Sequence, residues 1–136
     1  MDYGKLKKNF EDHRFLTSYF ETREEAAAYL KEKIRGERVG FGGSMTCQEM
    51  GLYELLKENN QVVWHWKDEM TAAEARRAAM DSTVYILSAN GVSETGELRC
   101  YDCNSPARIC SATVILERPC NGMTVELVFI NEELGY

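Results

Sequence analysis

The stretch GFGGSMTCQEMG, residues 40–51, places glycines and hydroxyl side chains between an apolar run and a leucine-rich one. Gly42 and Gly43 allow a ligand to approach the backbone closely, and Ser44 and Thr46 can donate hydrogen bonds to a phosphate or carboxylate. Where such a stretch joins a strand to a helix, free backbone N–H groups point at the same place. The residues allow an anion site, but on composition alone a plain turn capped by Ser44 or Thr46 is favoured.

Two further side chains in this stretch have chemistry of their own. Glu49 would lie one helical turn inside, where a carboxylate can orient a ligand hydroxyl or act as a base. Cys47 would lie near a helix N-terminus, which can lower the pKa of a thiol and make it reactive. No base is evident for Cys47, so Glu49 is the candidate catalytic residue.

Four cysteines crowd the last third of the chain, within residues 100–120. Cys100, Cys103 and Cys110 form a C-x2-C-x6-C pattern, and Cys120 follows near a turn. This spacing brings several thiolates within reach of one zinc ion or an iron-sulfur cluster. Only one C-x2-C pair is present, so reduced thiols that pack as small apolar groups are the main alternative, with a disulfide as a third.

Composition narrows the classes of protein. The chain has 136 residues, a net charge of -6 and 44% hydrophobic residues, which is typical of one folded domain, 1–136. The acidic balance and the lack of long basic runs argue against nucleic acid as a partner. No apolar run has the roughly 20 residues of a membrane span, and the first residues do not resemble a signal peptide. We therefore expect a cytoplasmic protein that does not enter membranes.

Hydrophobic periodicity predicts alternating strands and helices. Capping boxes at Thr22–Glu25 and Thr71–Glu74 indicate the starts of two helices. A further helix should carry Leu52, Leu55 and Leu56, and a turn or hairpin should follow Asn90. Strands are predicted at 15–20, 39–41, 61–66 and 82–90 and in two later runs, SATVILERP and MTVELVFI.

Alternating strands and helices are typical of a mainly parallel sheet with helices on both faces. The predicted fold is thus a three-layer, Rossmann-like α/β domain. In such a sheet the loops after the second and fourth strands meet at the carboxyl edge, which is where ligands bind. The glycine stretch, as the loop after the second strand, would lie at this edge.

Four landmarks, in this order, resemble the LUD family of lactate-utilization proteins: VGFGGSMTCQEMGLYELLKE, VYILSANGVSETGEL, CYDCNSPARIC and ELVFINEELGY. The resemblance implies an α/β fold similar to the sugar-phosphate isomerase and CoA-transferase superfamily. It implies a ligand site lined by Gly42, Gly43, Ser44, Thr46 and Glu49, joined by Ser88, Asn90 and Glu94 from the loop after the fourth strand. Cys100, Cys103 and Cys110 match the cysteine stretch of the family, and Cys120 has no counterpart in it.

The chain departs from the family pattern at one point. Where similar members continue into a polar stretch and then another strand and helix, this chain passes from Leu98 through Arg99 directly to Cys100. The resemblance therefore implies that an internal segment is missing between Leu98 and Cys100. Part of the expected pocket wall, and an arginine that would bind an anion, would be missing with it.

The resemblance also favours one function and leaves two alternatives open. We expect a protein that binds a small anionic metabolite and is linked to the use of lactate or related organic acids. One alternative is an isomerase or acyl-transfer enzyme with Glu49 as base or nucleophile. The other is a non-enzymatic subunit that partners an iron-sulfur lactate oxidase. Superfamilies of this shape often pair their subunits, so a homodimer is expected.

Overall fold

The computed structural model describes residues 16–89, 112–118 and 124–131, together with residues 4, 7, 8, 11, 91, 92, 98 and 99. Helices in this part are α1 (Arg23–Lys33), α2 (Met45–Glu49), α3 (Leu52–Lys57) and α4 (Ala72–Asp81). Strands are β1 (Leu16–Phe20), β2 (Arg38–Phe41), β3 (Gln61–Trp64), β4 (Val84–Ala89), β5 (Gly91–Val92), β6 (Leu98–Arg99), β7 (Ala112–Arg118) and β8 (Thr124–Ile130).

The main sheet has six strands in the order β1-β8-β7-β4-β2-β3. β1 pairs parallel with β8, and β2 pairs parallel with both β3 and β4. β7 runs antiparallel to both of its neighbours, β4 and β8. The described strands therefore confirm a mainly parallel sheet, in which β7 alone points the other way. The short strands β5 and β6 pair antiparallel, which confirms the predicted hairpin after residue 90.

Helices cover both faces of this sheet. On one face, side chains of β2, β4, β7 and β8 pack in a single core with Ala26 and Leu30 of α1, with Ile34 directly after α1, and with Leu52 and Leu56 of α3. On the other face, Ala75, Ala78 and Ala79 of α4 lie over β2 and β3. The predicted three layers are present because each strand alternates its side chains between these two helical layers.

Two helices begin where their sequences predict. The Thr22 hydroxyl accepts a hydrogen bond from the Glu25 amide at 3.2 Å, and the Thr71 hydroxyl accepts one from the Glu74 amide at 3.1 Å. Each hydroxyl satisfies one N–H group that has no partner inside its helix. Residues 4, 7, 8 and 11 are also helical.

Two predicted boundaries are wrong. The single helix expected after the glycine stretch is two short helices, α2 and α3, because Gly51 between them has a left-handed φ of 66°. The strand expected to reach residue 66 ends at Trp64, since the amides of Lys67 and Asp68 both turn back to the Trp64 carbonyl, at 2.9 and 2.7 Å. His65 therefore lies in a turn rather than on a strand face.

A buried polar cluster ties α1 to β8 at the other end of the sheet. Glu126 is only 5% exposed, and its carboxylate accepts hydrogen bonds from Lys33 and from the Tyr29 hydroxyl. Lys33 also donates to the Tyr29 hydroxyl at 2.9 Å. These groups satisfy one another, so the cluster fastens the helix to the sheet. Within the described residues, no helix is both long and apolar enough to cross a membrane.

Candidate functional site

Residues 42–44, which we call the glycine loop, join the carboxyl end of β2 to the start of α2. β2 lies between β3 and β4, and both neighbours run parallel to it. The Gly42 amide extends this pairing by donating to the Ile86 carbonyl of β4 at 2.8 Å. The loop therefore emerges at the carboxyl edge of the parallel strands, where α/β folds commonly bind their ligands.

Ser44 holds the glycine loop in place. It is fully buried, and its hydroxyl accepts a hydrogen bond from the Cys47 amide at 3.0 Å, so Ser44 is the N-cap of α2. The same oxygen lies 2.6 Å from the Ser88 hydroxyl near the end of β4. Two residues predicted from the sequence to share a site, Ser44 and Ser88, are thus in direct contact. The capped-turn interpretation holds for the Ser44 side chain.

The backbone amides at this loop, by contrast, include two accessible donors, because of Gly43, Ser44 and Met45 only Ser44 is buried. Within the described part of the chain, the amides of Gly43, Ser44 and Met45 donate no hydrogen bond. Gly43 is exposed, and Met45, the first residue of α2, is 40% exposed. Unpaired amides at the start of a helix carry partial positive charge, which attracts an anion. A capped turn and an anion site are therefore compatible at this loop.

A stack of aromatic rings lies beside the glycine loop on the side of β3. Phe41 stacks on Trp64 with ring centres 4.8 Å apart, and Trp64 stacks on Trp66 at 5.3 Å. A side chain on Gly43 would meet the Trp66 ring at 3.1 Å, so only glycine fits this approach easily. Asp68 fixes the turn that carries Trp66, because its carboxylate accepts hydrogen bonds from the Trp64 amide and the Tyr53 hydroxyl.

The environment of Cys47 differs from the one that the sequence suggests for a reactive thiol. A thiol near a helix N-terminus could have had a lowered pKa, but Cys47 is fully buried, and burial raises its pKa to about 12. The hydrogen bond from Ser44 lowers this value only in part. A neutral, buried thiol is a poor nucleophile, so Cys47 is a packing residue of the core under α2.

Thr46 and Glu49 occupy different environments on α2. Thr46 is 2% exposed, so it is buried. Glu49 is exposed on the outer surface of the same helix. A carboxyl group that serves as a base near neutral pH is usually held in an apolar environment. The described residues do not bury Glu49, and its catalytic role stays a prediction.

Several predicted site residues lie outside the described residues. These are Asn90 and Glu94 of the expected ligand loop and all four cysteines of the segment 100–120. Among the residues that are described, no group of three or more metal-binding side chains could hold a metal ion. The predictions for zinc or an iron-sulfur cluster at Cys100, Cys103 and Cys110 therefore stay predictions.

Sequence reasoning misses two side chains that lie at this edge, Trp66 and Tyr85. Trp66 falls within a predicted strand, although it lies in the turn beside Gly43. Tyr85 belongs to an apolar strand pattern, although a side chain on Gly42 would lie only 3.1 Å from its hydroxyl oxygen. Glycines at alternate positions, Gly40 and Gly42, indicate that another side chain approaches β2 closely, but they do not indicate which residue it belongs to.

The fold and the loop define the class of this protein: an α/β domain with a mainly parallel sheet and a candidate ligand loop at its carboxyl edge. The chain belongs to the LUD domain family, whose profile matches residues 3–115. No curated protein and no solved structure matches it. The match contains the glycine loop, Ser88 and Tyr85, and it ends within β7.

Proposed function

We propose that this LUD domain protein binds a small organic anion at the glycine loop, and that it serves the use of lactate or a related organic acid. The observation that carries the proposal is the pair of unpaired, exposed amides on Gly43 and Met45 at the carboxyl edge of β2. Family membership supports the link to organic acids. A carboxylate is the anion that all such acids share.

The surroundings of the loop support a small ligand. Ser44 and Ser88 keep the loop against β4, so the amides are held in place before a ligand arrives. Trp66 closes one side of the loop with an indole that is 42% exposed. Prearranged donors reduce the conformational entropy that the loop must lose when a ligand binds. This arrangement suits a compact carboxylate better than a long chain.

The roles of the remaining predicted groups are finer parts of the same proposal. Thr46, Glu49, Asn90 and Glu94 would complete the ligand site, and catalysis would fall to Glu49. A metal at the cysteine segment is expected from the cysteine spacing, and a homodimer from the shape of the superfamily. A partnership with iron-sulfur oxidase subunits is expected from the family resemblance. Binding of the anion does not depend on any of these.

The amide at position 45 can be removed without changing the fold. Met45 is the first residue of α2, a position that accepts proline because its N–H group has no partner in the helix. Ser44 before it has extended backbone angles, φ -156° and ψ 111°, which suit a residue that precedes proline. Met45→Pro therefore deletes one donor, and Met45→Ala is the matched control that removes the side chain but keeps the donor.

We expect lactate or pyruvate to shift the amide NMR signals of Gly43, Ser44 and Met45 in the wild-type protein, with saturation. Met45→Pro should weaken the affinity about tenfold, because a hydrogen bond to a charged group is lost, while Met45→Ala should bind like the wild type. Unmoved signals with every carboxylate tested, or equal affinities for the two variants, would contradict the proposal. Thermal unfolding verifies that both variants are folded.

A further inference from the structure

The Tyr85 side chain lies across β2 because the positions that it crosses, Gly40 and Gly42, have no side chains. It pairs in register with Gly40, and a Cβ atom on Gly40 would come within 3.1 Å of its ring. A Cβ atom on Gly42, two residues nearer the carboxyl edge, would lie 3.1 Å from its hydroxyl oxygen. The ring therefore leans from β4 over two glycines and carries its hydroxyl to the glycine loop.

The hydroxyl of Tyr85 has no hydrogen-bond partner within the described part of the chain. The ring borders a crevice of about 10 Å³ between α4 and the sheet, which His65 also lines. A phenol group usually finds a partner when it is partly buried. The space beside it is small, so it can take one oxygen-bearing group rather than a whole metabolite.

We propose that Tyr85 is a ligand-binding residue, whose hydroxyl donates a hydrogen bond to a second oxygen of the anion held by the glycine loop. This inference rests on the proposed function, since it needs a ligand at the loop. Ser44 and α2 lie on one face of the sheet, and Tyr85 reaches the loop from the other. A ligand that meets both sets of donors therefore needs two oxygen-bearing groups, a carboxylate and an oxygen on a neighbouring carbon.

The protonation state of Tyr85 fits the role of a donor. Burial raises the pKa of its hydroxyl, and the negative charge of Glu117 on the adjacent strand β7 raises it further. The phenol consequently keeps its proton at neutral pH. A neutral donor suits a hydroxyl or carbonyl oxygen, whereas the unpaired amides and their helix suit the carboxylate.

The experiment compares lactate with propionate, which has the same carbon chain and carboxylate but no second oxygen. Wild-type protein should bind lactate roughly fivefold more tightly than propionate, the value of one ordinary hydrogen bond. Tyr85→Phe should lose this preference by weakening lactate alone. Its melting temperature should not fall, because the hydroxyl removed has no partner among the described residues.

Tyr29→Phe is the matched control, because it removes a hydroxyl that bonds to Glu126 and Lys33 far from the glycine loop. It should lower the melting temperature and leave the preference for lactate unchanged. If the wild type binds lactate at the loop and Tyr85→Phe binds it equally well, the role of Tyr85 is overturned and the proposed function stands. If neither acid binds the wild type, the proposed function fails and the inference fails with it.

Discussion

Cys47 lies beneath the start of α2 with none of its surface exposed, and this burial governs its chemistry. Because its pKa is about 12, the native thiol should react slowly with iodoacetamide from pH 7 to roughly pH 10. In urea the labelling rate should instead increase as the pH passes the ordinary thiol pKa of about 8.5 to 9. Mass spectrometry of the peptide that contains Cys47 measures both rates. Fast labelling of the native protein would show that the thiol is accessible.

The raised pKa of Cys47 also sets the sign of a pH effect on stability. Below the pKa of the unfolded chain the thiol is neutral in both states, so its contribution to the free energy of unfolding is fully present. As pH rises from the ordinary value of 9.0 towards about 12, only the unfolded thiol ionises, and stability is lost. Cys47→Ala lacks this contribution, so its stability should fall less steeply over the same range.

Among the helices, Gly51 decides that the chain after the glycine loop forms two elements rather than one. Its φ is 66°, and a Cβ atom there would meet nothing within 4 Å, so the cost of a side chain is conformational rather than steric. Gly51→Ala should lower the free energy of unfolding by about 1 kcal/mol, measured by urea denaturation.

Gly36 provides a matched comparison for Gly51. It has the same φ of 66° and the same open space, so Gly36→Ala should have a similar cost. If Gly51→Ala instead raised the stability, α2 and α3 would have joined into one helix. Met45 and the glycine loop would then be placed differently relative to α3.

In the molecule as a whole, β8 completes the sheet although it follows the part of the chain that matches the LUD domain. It lies between β1 and β7, and among the described strands it is the only partner of β1. A chain that ends at Arg118 would leave β1 unpaired and would lose the buried side chains of Leu127, Val128 and Phe129. It should show no cooperative unfolding by circular dichroism.

A chain that ends at Asn131 is the control for this truncation, because it keeps all of β8. It should unfold cooperatively, as the full chain does. Cooperative folding of the shorter chain would mean that β1 finds another partner, and that the six-strand order is not required for stability.

Features that depend on near neighbours in the chain follow from the sequence alone. Thr22 and Thr71 begin helices because each caps an amide three residues away, and β4 is recognisable from its apolar run. The position of the glycine loop between a strand and a helix is also predictable. These interactions act within one helical turn or along one strand, so the local pattern is enough to specify them.

The surroundings of that loop, in contrast, depend on the packing of the whole domain. Ser44 meets Ser88, Tyr85 lies across Gly40 and Gly42, and Cys47 is sealed inside the core through contacts between separate strands and helices. Which strands become neighbours depends on how all the apolar faces pack together. The sequence of a single strand does not specify its partner strand. The loop was therefore predictable from the sequence, and Ser88 beside it was expected from the family resemblance, whereas Tyr85 across the loop and the burial of the thiol beneath it were not.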